Sequence, residues 1–345
     1  MDINLLDNTT LQQLRQTIDD CRNVVVCCHK SPDGDAIGSS LAIADYLRQK
    51  GKTVNVCIPD AFPDFLKWLK GTKGILRFDW HKDRIANLMA NADTIFCMDF
   101  NSPSRLDSME PLLVNSKARK VLIDHHLSPD IDATPLLSFP QMCSTCELLF
   151  RLLWQLGEYD NITREMTEAL YCGMMTDTGG FTYASTRPEI YYIISLMLAK
   201  GIDKDLIFKY VFHNYSADCI RLRGYVMNEK LNVIDSLHAS YYSVTKEEMK
   251  RFNFKKGDLE GLVNEPLRIK GHKLSISLRE DTEKPNLTHV SLRSAWGFHC
   301  AEMATKFFNG GGHDDAAGGR LFCGIEEAEN IALKAILAYK DLLIS

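Results

Sequence analysis

The sequence has no long hydrophobic segment, no leader pattern and no excess of basic charge. None of its apolar runs reaches the roughly 20 residues that a membrane-spanning helix requires. Its first residues also lack the basic-then-apolar order of a secretory signal. The net charge of −5 excludes the broad basic face that grips long nucleic acid without sequence preference, but not a local pocket for a short anion. We therefore expect a globular, cytoplasmic protein that does not enter membranes.

The sequence also lacks the cysteine pattern of a disulfide-rich or zinc-binding protein. Its eleven cysteines are an odd number spread over a long chain, and without a secretory signal they are expected to be reduced thiols. One CxxC spacing, Cys143 to Cys146, has no second pair to complete a zinc site. It opens an apolar helical pattern, so packing and helix capping explain it better.

Length and strand–helix alternation predict two domains. The chain has 345 residues, and a domain averages about 150. In the first half, four short apolar runs predict strands at residues 23–28, 53–58, 93–98 and 120–123. Helical patterns lie among and after them, at residues 36–50, 146–156 and 163–175. Apolar strands that alternate with helices predict an α/β fold whose parallel sheet is covered on both faces.

The second half has a different pattern. Short alternating strands are predicted at residues 240–244, 273–278 and 289–292, and helices at 300–308 and 325–343. This pattern favours a smaller α+β domain. We expect the first domain at residues 1–200, a linker at 201–228 and the second domain at 229–345.

Four segments place acids or histidines directly after a predicted strand or helix. They contain, in order, His29, Asp33 and Asp35; Asp99; Asp124, His125 and His126; and Asp177. A lone aspartate in such a place is more often a cap or turn residue, and Asp35 is predicted at or near the N-cap of its helix. Ligands of open α/β sheets bind where strands end. Acids gathered there would repel one another unless divalent cations, Mn²⁺ or Mg²⁺ before Zn²⁺, neutralise them.

These segments carry a resemblance. HKSPDGDAIGS, MDFN, IDHH and TDTGGF resemble the four motifs of the DHH phosphoesterase superfamily, over roughly the first 200 residues. The resemblance implies two manganese ions, with magnesium as the alternative, and a water that attacks phosphorus. The implied metal ligands are His29 and Asp33 for one ion, Asp35 and His125 for the other, a bridging Asp99, and Asp177.

The resemblance also implies catalytic roles for Asp99, Asp124, His126 and Asp177. His126 would face the substrate phosphate, and Asp124 would orient a ligand histidine. Arg105 follows Asp99 by six residues. It is equally compatible with a phosphate contact and with a surface salt bridge.

A glycine-rich segment at residues 309–319 is the second strong signal. Its glycines permit close approach of the backbone to a ligand, and consecutive N–H groups can form an anion-binding nest. Together with VSLRS upstream, it resembles the DHH-associated C-terminal domain. That resemblance implies that the substrate nucleotide is bound by Arg293, Ser294, Gly311, Gly312 and His313. Asp314 and Asp315 depart from the family pattern and would weaken anion binding unless they point away.

The resemblance favours a manganese-dependent phosphoesterase of the nano-RNase type. Its partners would be short single-stranded RNA or DNA oligonucleotides, or nucleotides such as 3′-phosphoadenosine 5′-phosphate. The alternatives are an exopolyphosphatase, a cyclic or linear dinucleotide phosphodiesterase, and a nucleotide sensor without catalytic activity. A homodimer is left open.

Overall fold

The computed structural model describes residues 1–344, which form two compact units. The first unit is Met1–Asn214 and the second begins at Tyr215. The predicted linker range, 201–228, contains the whole of two helices, Lys204–Phe212 and Ala217–Tyr225, and the boundary falls between them. No helix within residues 1–344 combines the length and the apolar character needed to cross a membrane.

The first unit contains a six-stranded parallel sheet. Its strands are β1 (Asn23–Cys28), β2 (Thr53–Ile58), β3 (Leu76–Arg77), β4 (Thr94–Met98), β5 (Arg119–Asp124) and β6 (Leu136–Ser138). Their order in the sheet is β3-β2-β1-β4-β5-β6, and each neighbouring pair is parallel. The order reverses between β1 and β4, which in open α/β sheets is where a ligand crevice forms. The prediction of a parallel sheet is confirmed.

Helices cover this sheet on both faces. They are α1 (Asn8–Asp20), α2 (Gly34–Gln49), α3 (Lys82–Asn91), α4 (Glu110–Val114), α5 (Thr145–Gln155), α6 (Arg164–Asp177), α7 (Pro188–Ala199) and α8 (Lys204–Phe212). Along β1, Val24 and Val26 face a core that includes α2, α5 and α6, while Val25 and Cys27 face a core that includes α3 and α4. Burial on both faces is why β1 is apolar at nearly every position.

Glycines let the central helices approach closely. A Cβ atom at Gly38 of α2 would lie 2.4 Å from the carbonyl oxygen of Ala169 in α6. A Cβ atom at Gly173 of α6 would lie 2.3 Å from Sγ of Cys146 in α5. This packing brings the C-terminus of α6 and the N-termini of α2 and α5 to the same edge of the sheet.

The second unit is built on a mixed sheet. Its strands are β7 (Asn232–Ile234), β8 (Ala239–Val244), β9 (Leu274–Glu280), β10 (Thr288–Ser294), β11 (Gly311–His313) and β12 (Ala316–Leu321), in the order β11-β12-β10-β9-β8-β7. β8 and β9 are parallel, and the other neighbours are antiparallel. Its helices are α9 (Ala217–Tyr225), α10 (Lys246–Arg251), α11 (Ala301–Phe308), α12 (Ile325–Ala338) and α13 (Lys340–Ile344).

The α+β character of the second half is confirmed, but the prediction of one helix at 325–343 is wrong. The chain leaves helical geometry at Tyr339, where φ is −107° and ψ is 14°, and α13 starts at the next residue. The Tyr339 ring packs against Phe298 and Phe307. Alternating strand residues such as Leu274, Ile276 and Leu278 contribute to the core that α11 and α12 share.

Candidate metal centre

Polar side chains gather where three strands of the first sheet end. β1 is followed by His29, β4 by Asp99, and β5 ends at Asp124, with His125 and His126 next. The strand register pairs Cys28 with Met98 and Met98 with Ile123, so the three strands end at the same level. We call the gathered residues the acid cluster; they are His29, Asp33, Asp35, Asp99, Asp124, His125, His126 and Asp177.

Asp99 lies between two groups of ligand atoms. Its Oδ2 is 3.5 Å from Nε2 of His29, which is also 3.8 Å from Oδ2 of Asp33. Its Oδ1 is 3.6 Å from Nε2 of His125, which is 3.3 Å from Oδ2 of Asp177 and 3.9 Å from Oδ2 of Asp35. Within each group, the ligand atoms lie within 4.8 Å of one another. Each oxygen of Asp99 therefore serves a different group, which is the arrangement of a bridging carboxylate.

Backbone carbonyls fix the rings of His29 and His125. Nδ1 of His29 lies 2.8 Å from the carbonyl oxygen of Lys30, and Nδ1 of His125 lies 3.2 Å from that of Met142. A carbonyl accepts, so Nδ1 carries the hydrogen and Nε2 is the atom presented to the carboxylates. Metal-ligating histidines in proteins are oriented in this way by the hydrogen bond of the other ring nitrogen. The donor set of carboxylates and imidazoles fits a divalent cation that prefers oxygen and nitrogen.

The two acids of the HKSPDGD segment lie at the start of α2. Asp33, not Asp35, is the N-cap of α2, because its Oδ1 accepts from the amides of Asp35 and Ala36, both at 3.0 Å. Its Oδ2 remains for His29. Asp35 lies in the first turn of the helix and is buried. Asp35 thus lies near the N-cap, as expected, and Asp33 is the residue that caps the helix.

The N-terminus of α5 holds Asp35 and Asp99, a contact that the sequence analysis missed. Oδ2 of Asp35 accepts from the amide of Thr145 at 2.6 Å, and Oδ1 from the amide of Cys146 at 2.8 Å. The hydroxyl of Thr145 donates to Oδ1 of Asp99 at 2.9 Å. The available signal was the helix start itself, since Ser144 caps the amide of Glu147 and the first amides of a helix attract carboxylates.

Asp124 pairs with a different histidine from the one expected. Its Oδ1 lies 2.7 Å from Nδ1 of His126, whereas His125 is oriented by Met142. Nδ1 of His126 is also 3.8 Å from Oδ1 of Asp99. Asp124 is fully buried, and its Oδ2 has no hydrogen-bond partner among the described residues. Asp124 therefore orients His126, not a ligand of either group around Asp99.

The cluster's charges shift one another's pKa values. Burial, followed by the charges of Asp99 and Asp177, raises the pKa of Asp35 well above its usual value. Burial alone would raise the pKa of Asp99, but the hydrogen bond from His29 and the charges of His126, His29 and His125 lower it far below its usual value. Burial works against the charged imidazole of His29, yet Asp99 and Asp33 outweigh it and raise its pKa. His29 thus stabilises the ionised form of Asp99, as a bound cation would.

Arg105 is an exposed cation beside this cluster. Its charge opposes protonation of His29, and its backbone carbonyl accepts from the amide of Lys30 at 2.8 Å. The structure therefore places the backbone of Arg105 against the residue that follows His29.

The glycine-rich segment of the second unit is a β-hairpin and not a flexible loop. β11 pairs with β12 through Gly311–Gly318, Gly312–Ala317 and His313–Ala316. A Cβ atom at Gly310 would lie 1.8 Å from the carbonyl oxygen of Gly318, and one at Gly312 would lie 2.5 Å from that of Ala316. Close packing of backbone on backbone thus requires these glycines. Gly311 differs, because its added Cβ would meet nothing closer than 3.9 Å.

The remaining predicted substrate residues lie at the end of β10. Ser294 holds the hairpin turn, since its amide donates to the carbonyl of Asp315 at 3.0 Å and its hydroxyl to that of Asp314 at 3.2 Å. The exposed carboxylates of both aspartates flank His299, at 3.8 and 3.7 Å from its Nδ1. Arg293 has a buried Nε without a hydrogen-bond partner in residues 1–344. Such an atom is suited to an anionic ligand.

Comparison with known proteins agrees with this division. Residues 23–174 match the DHH family, N-terminal domain, and residues 238–339 match the DHHA1 domain. A solved structure of an exopolyphosphatase-related protein from Bacteroides fragilis shares 44% identity, covers 99% of both chains and superposes with a TM-score of 0.92.

Two further relatives are informative. The bifunctional oligoribonuclease and PAP phosphatase NrnA of Thermus thermophilus is 28% identical over 306 residues, which cover 86% of this chain and 84% of the relative. The structure of RecJ in complex with Mn²⁺ from Thermus thermophilus has a TM-score of 0.55 at 13% identity and covers 99% of this chain and 56% of that one. The RecJ likeness concerns the fold alone.

Proposed function

The chain belongs to the DHH family, and from this premise we propose that it hydrolyses short oligoribonucleotides and 3′-phosphoadenosine 5′-phosphate with two manganese ions. Membership makes it a phosphate ester hydrolase. The observation that carries the proposal is the position of Asp99 between His29 and His125. One buried carboxylate shared by two sets of ligand atoms is the feature that a pair of cations needs.

The ligands divide into two sets. His29 and Asp33 would hold one ion, and Asp35, His125 and Asp177 the other, while Asp99 would contact both. When bound, such ions activate a water and neutralise charge on the phosphoryl oxygens. Manganese is supported by the donor chemistry, since carboxylate and imidazole ligands suit it.

The chain's own side chains then position the phosphate. His126, whose ring is oriented by Asp124 through Nδ1, would contact a phosphoryl oxygen. Arg105 adds a cation at the same edge of the sheet. In the second unit, nucleotide groups would be bound by the Nε of Arg293, which has no hydrogen-bond partner within residues 1–344, by the open backbone of Gly311 and by the side chain of His313. Charge stabilisation by such donors accounts for much of the rate enhancement of phosphoryl transfer.

A substrate panel tests this function. The full-length protein is incubated with Mn²⁺ and a 5′-phosphorylated diribonucleotide, 3′-phosphoadenosine 5′-phosphate, a cyclic dinucleotide or polyphosphate, and released products are quantified. We expect the first two to be cleaved fastest. Faster release of phosphate from polyphosphate than of mononucleotide from the dinucleotide would contradict the proposal.

One observation favours a second candidate, an exopolyphosphatase. The relative at 44% identity is described as exopolyphosphatase-related, and the acid cluster would contact only phosphate oxygens, so that it would not select a leaving group. The panel separates the two candidates because polyphosphate carries neither ribose nor base.

A further inference from the structure

An exposed tyrosine lies beside the acid cluster. Tyr183 follows Asp177 by six residues, and 44% of its surface is exposed. A Cβ atom at Gly179 would lie 2.3 Å from Cε1 of Tyr183, so the tyrosine ring covers this glycine. Because Gly179 is two residues from Asp177, the ring covers the backbone that follows this member of the acid cluster.

The loop that carries Tyr183 is held in one conformation. Thr178 is buried; its hydroxyl accepts from the amide of Phe181 at 3.0 Å and its carbonyl from the amide of Tyr183 at 3.2 Å. Phe181 and Ala184 have left-handed φ angles of 65° and 49°. Such angles cost free energy in residues with a Cβ, and they persist where surrounding contacts enforce them, as at ligand sites. The loop therefore presents Tyr183 in a fixed place.

A different aromatic residue of the same loop makes the ring contact with α6. Phe181 in the same loop packs its ring against Tyr171, with 5.6 Å between ring centroids, and anchors the loop to α6. Tyr183 is not needed for that anchor. The next glycine, Gly180, is also faced by an exposed ring, since its added Cβ would lie 3.6 Å from Cε2 of Phe208, which is 40% exposed. Aromatic surface therefore continues along the loop that leaves the cluster.

We propose that Tyr183 stacks on the nucleobase adjacent to the phosphate held at the acid cluster, and so selects nucleotides over phosphate chains without bases. This inference rests on the proposed function. Stacking of a base on an aromatic ring is tolerant of base identity, which suits an enzyme of short oligonucleotides of any sequence. Its loss on alanine substitution weakens binding by about 5- to 100-fold per base.

The test compares substrates with and without a base. Steady-state kinetics of the full-length protein with Mn²⁺ are measured on a 5′-phosphorylated diribonucleotide and on the same molecule with either base removed. We expect Y183A to raise KM for the intact dinucleotide by about 5- to 100-fold, with a smaller change in kcat. On the substrate that lacks the stacked base, Y183A and wild type should have equal KM.

Two matched variants serve as controls. Y183F keeps the ring, and Y191A removes a tyrosine of α7 that is 52% exposed; both should behave like wild type. An equal rise in KM for intact and abasic dinucleotides would show that Tyr183 only shapes the loop, and would overturn the proposal. So would an unchanged KM for Y183A on the intact dinucleotide.

The experiment also separates this inference from the proposed function. If wild type fails to cleave the dinucleotide, the proposed function fails, but binding of AMP measured by calorimetry still tests the stacking. Y183A should then lower the affinity for AMP and leave that for ribose 5-phosphate unchanged. Equal affinity of wild type and Y183A for AMP would contradict the stacking role.

Discussion

The acid cluster of the first unit is built from side chains, whereas the glycine-rich hairpin of the second is built from backbone. Around Asp99, the side-chain atoms of four strand or helix ends meet, and their charges need a counter-ion. At Gly310 and Gly312, the neighbouring backbone leaves no room for a side chain. Replacing a carboxylate of the acid cluster should therefore alter the chemistry and spare the fold. Adding a methyl group at Gly310 or Gly312 should instead disturb the fold and spare the chemistry.

The largest expected effect is that of D99N on activity. Asparagine tolerates the left-handed φ of 63° at this position, so the fold should survive. Loss of one negative charge from the shared position should lower kcat roughly 1,000-fold, or about 4 kcal/mol of transition-state stabilisation. Mononucleotide release is the measurement, with the exposed Asp132 changed to Asn as the control.

Either of two results would contradict the role of Asp99. One is undiminished turnover in D99N. The other is a large drop in its melting temperature, which would mean that Asp99 serves the fold instead of the chemistry.

The G312A variant tests the glycine-rich hairpin of the second unit. Its φ of 150° and the 2.5 Å approach of an added Cβ to the carbonyl of Ala316 should destabilise the hairpin by roughly 1–3 kcal/mol. Urea denaturation measures this, and Mn²⁺ affinity of the protein should stay unchanged. G224A is the control, because Gly224 lies in α9 with open space around it. Normal stability with a raised KM would show that Gly312 serves the ligand.

A smaller effect is expected for T145V, which tests the hydrogen bond from Thr145 to Asp99. It removes the hydroxyl that donates to Asp99 while the amide that donates to Asp35 remains. Loss of one such supporting bond typically weakens metal affinity about 10- to 100-fold. Calorimetric titration with Mn²⁺ is the measurement, and T145S, which keeps the hydroxyl, should bind normally. Equal affinity of T145V and T145S would exclude this role.

The smallest effect is on the pH dependence of folding stability, and it concerns the second unit. Burial opposes ionisation of Asp281, but backbone hydrogen bonds and His289 hold its pKa at about 2. A carboxyl with a lowered pKa stabilises the fold above its unfolded pKa near 4, and that stability is lost as the pH falls through 2. D281N should cost at most about 1 kcal/mol at pH 7, since solvent screens the pair, and nothing at pH 2. An equal cost at both pH values would contradict this.

Much of the cluster was predictable because strand ends locate it. The strands before His29 and Asp99 are apolar after their first residue, so the sequence marks where they stop and polar residues begin. The sequence alone does not decide whether Asp33 or Asp35 caps α2, since both lie at the start of that helix. The sequence also does not decide which histidine pairs with Asp124, because His125 and His126 are adjacent. In the structure, the carbonyl of Met142 orients His125, and Asp124 pairs with His126.

The rest depended on contacts between distant segments. Thr145 lies 46 residues from Asp99, and nothing local to CSTC indicates that its hydroxyl reaches that carboxylate. In the glycine-rich segment, composition indicates that the backbone approaches something closely, but it does not say whether that is a ligand or another strand. The register of β11 with β12 decides this for Gly310 and Gly312.

The most direct test of whether Asp99 bridges two manganese ions is anomalous X-ray diffraction at the manganese edge from crystals grown with Mn²⁺. We predict two peaks about 3.5–4 Å apart, the separation of two-metal hydrolases, with one oxygen of Asp99 directed at each. A single peak, or two peaks that do not share Asp99, would contradict the account.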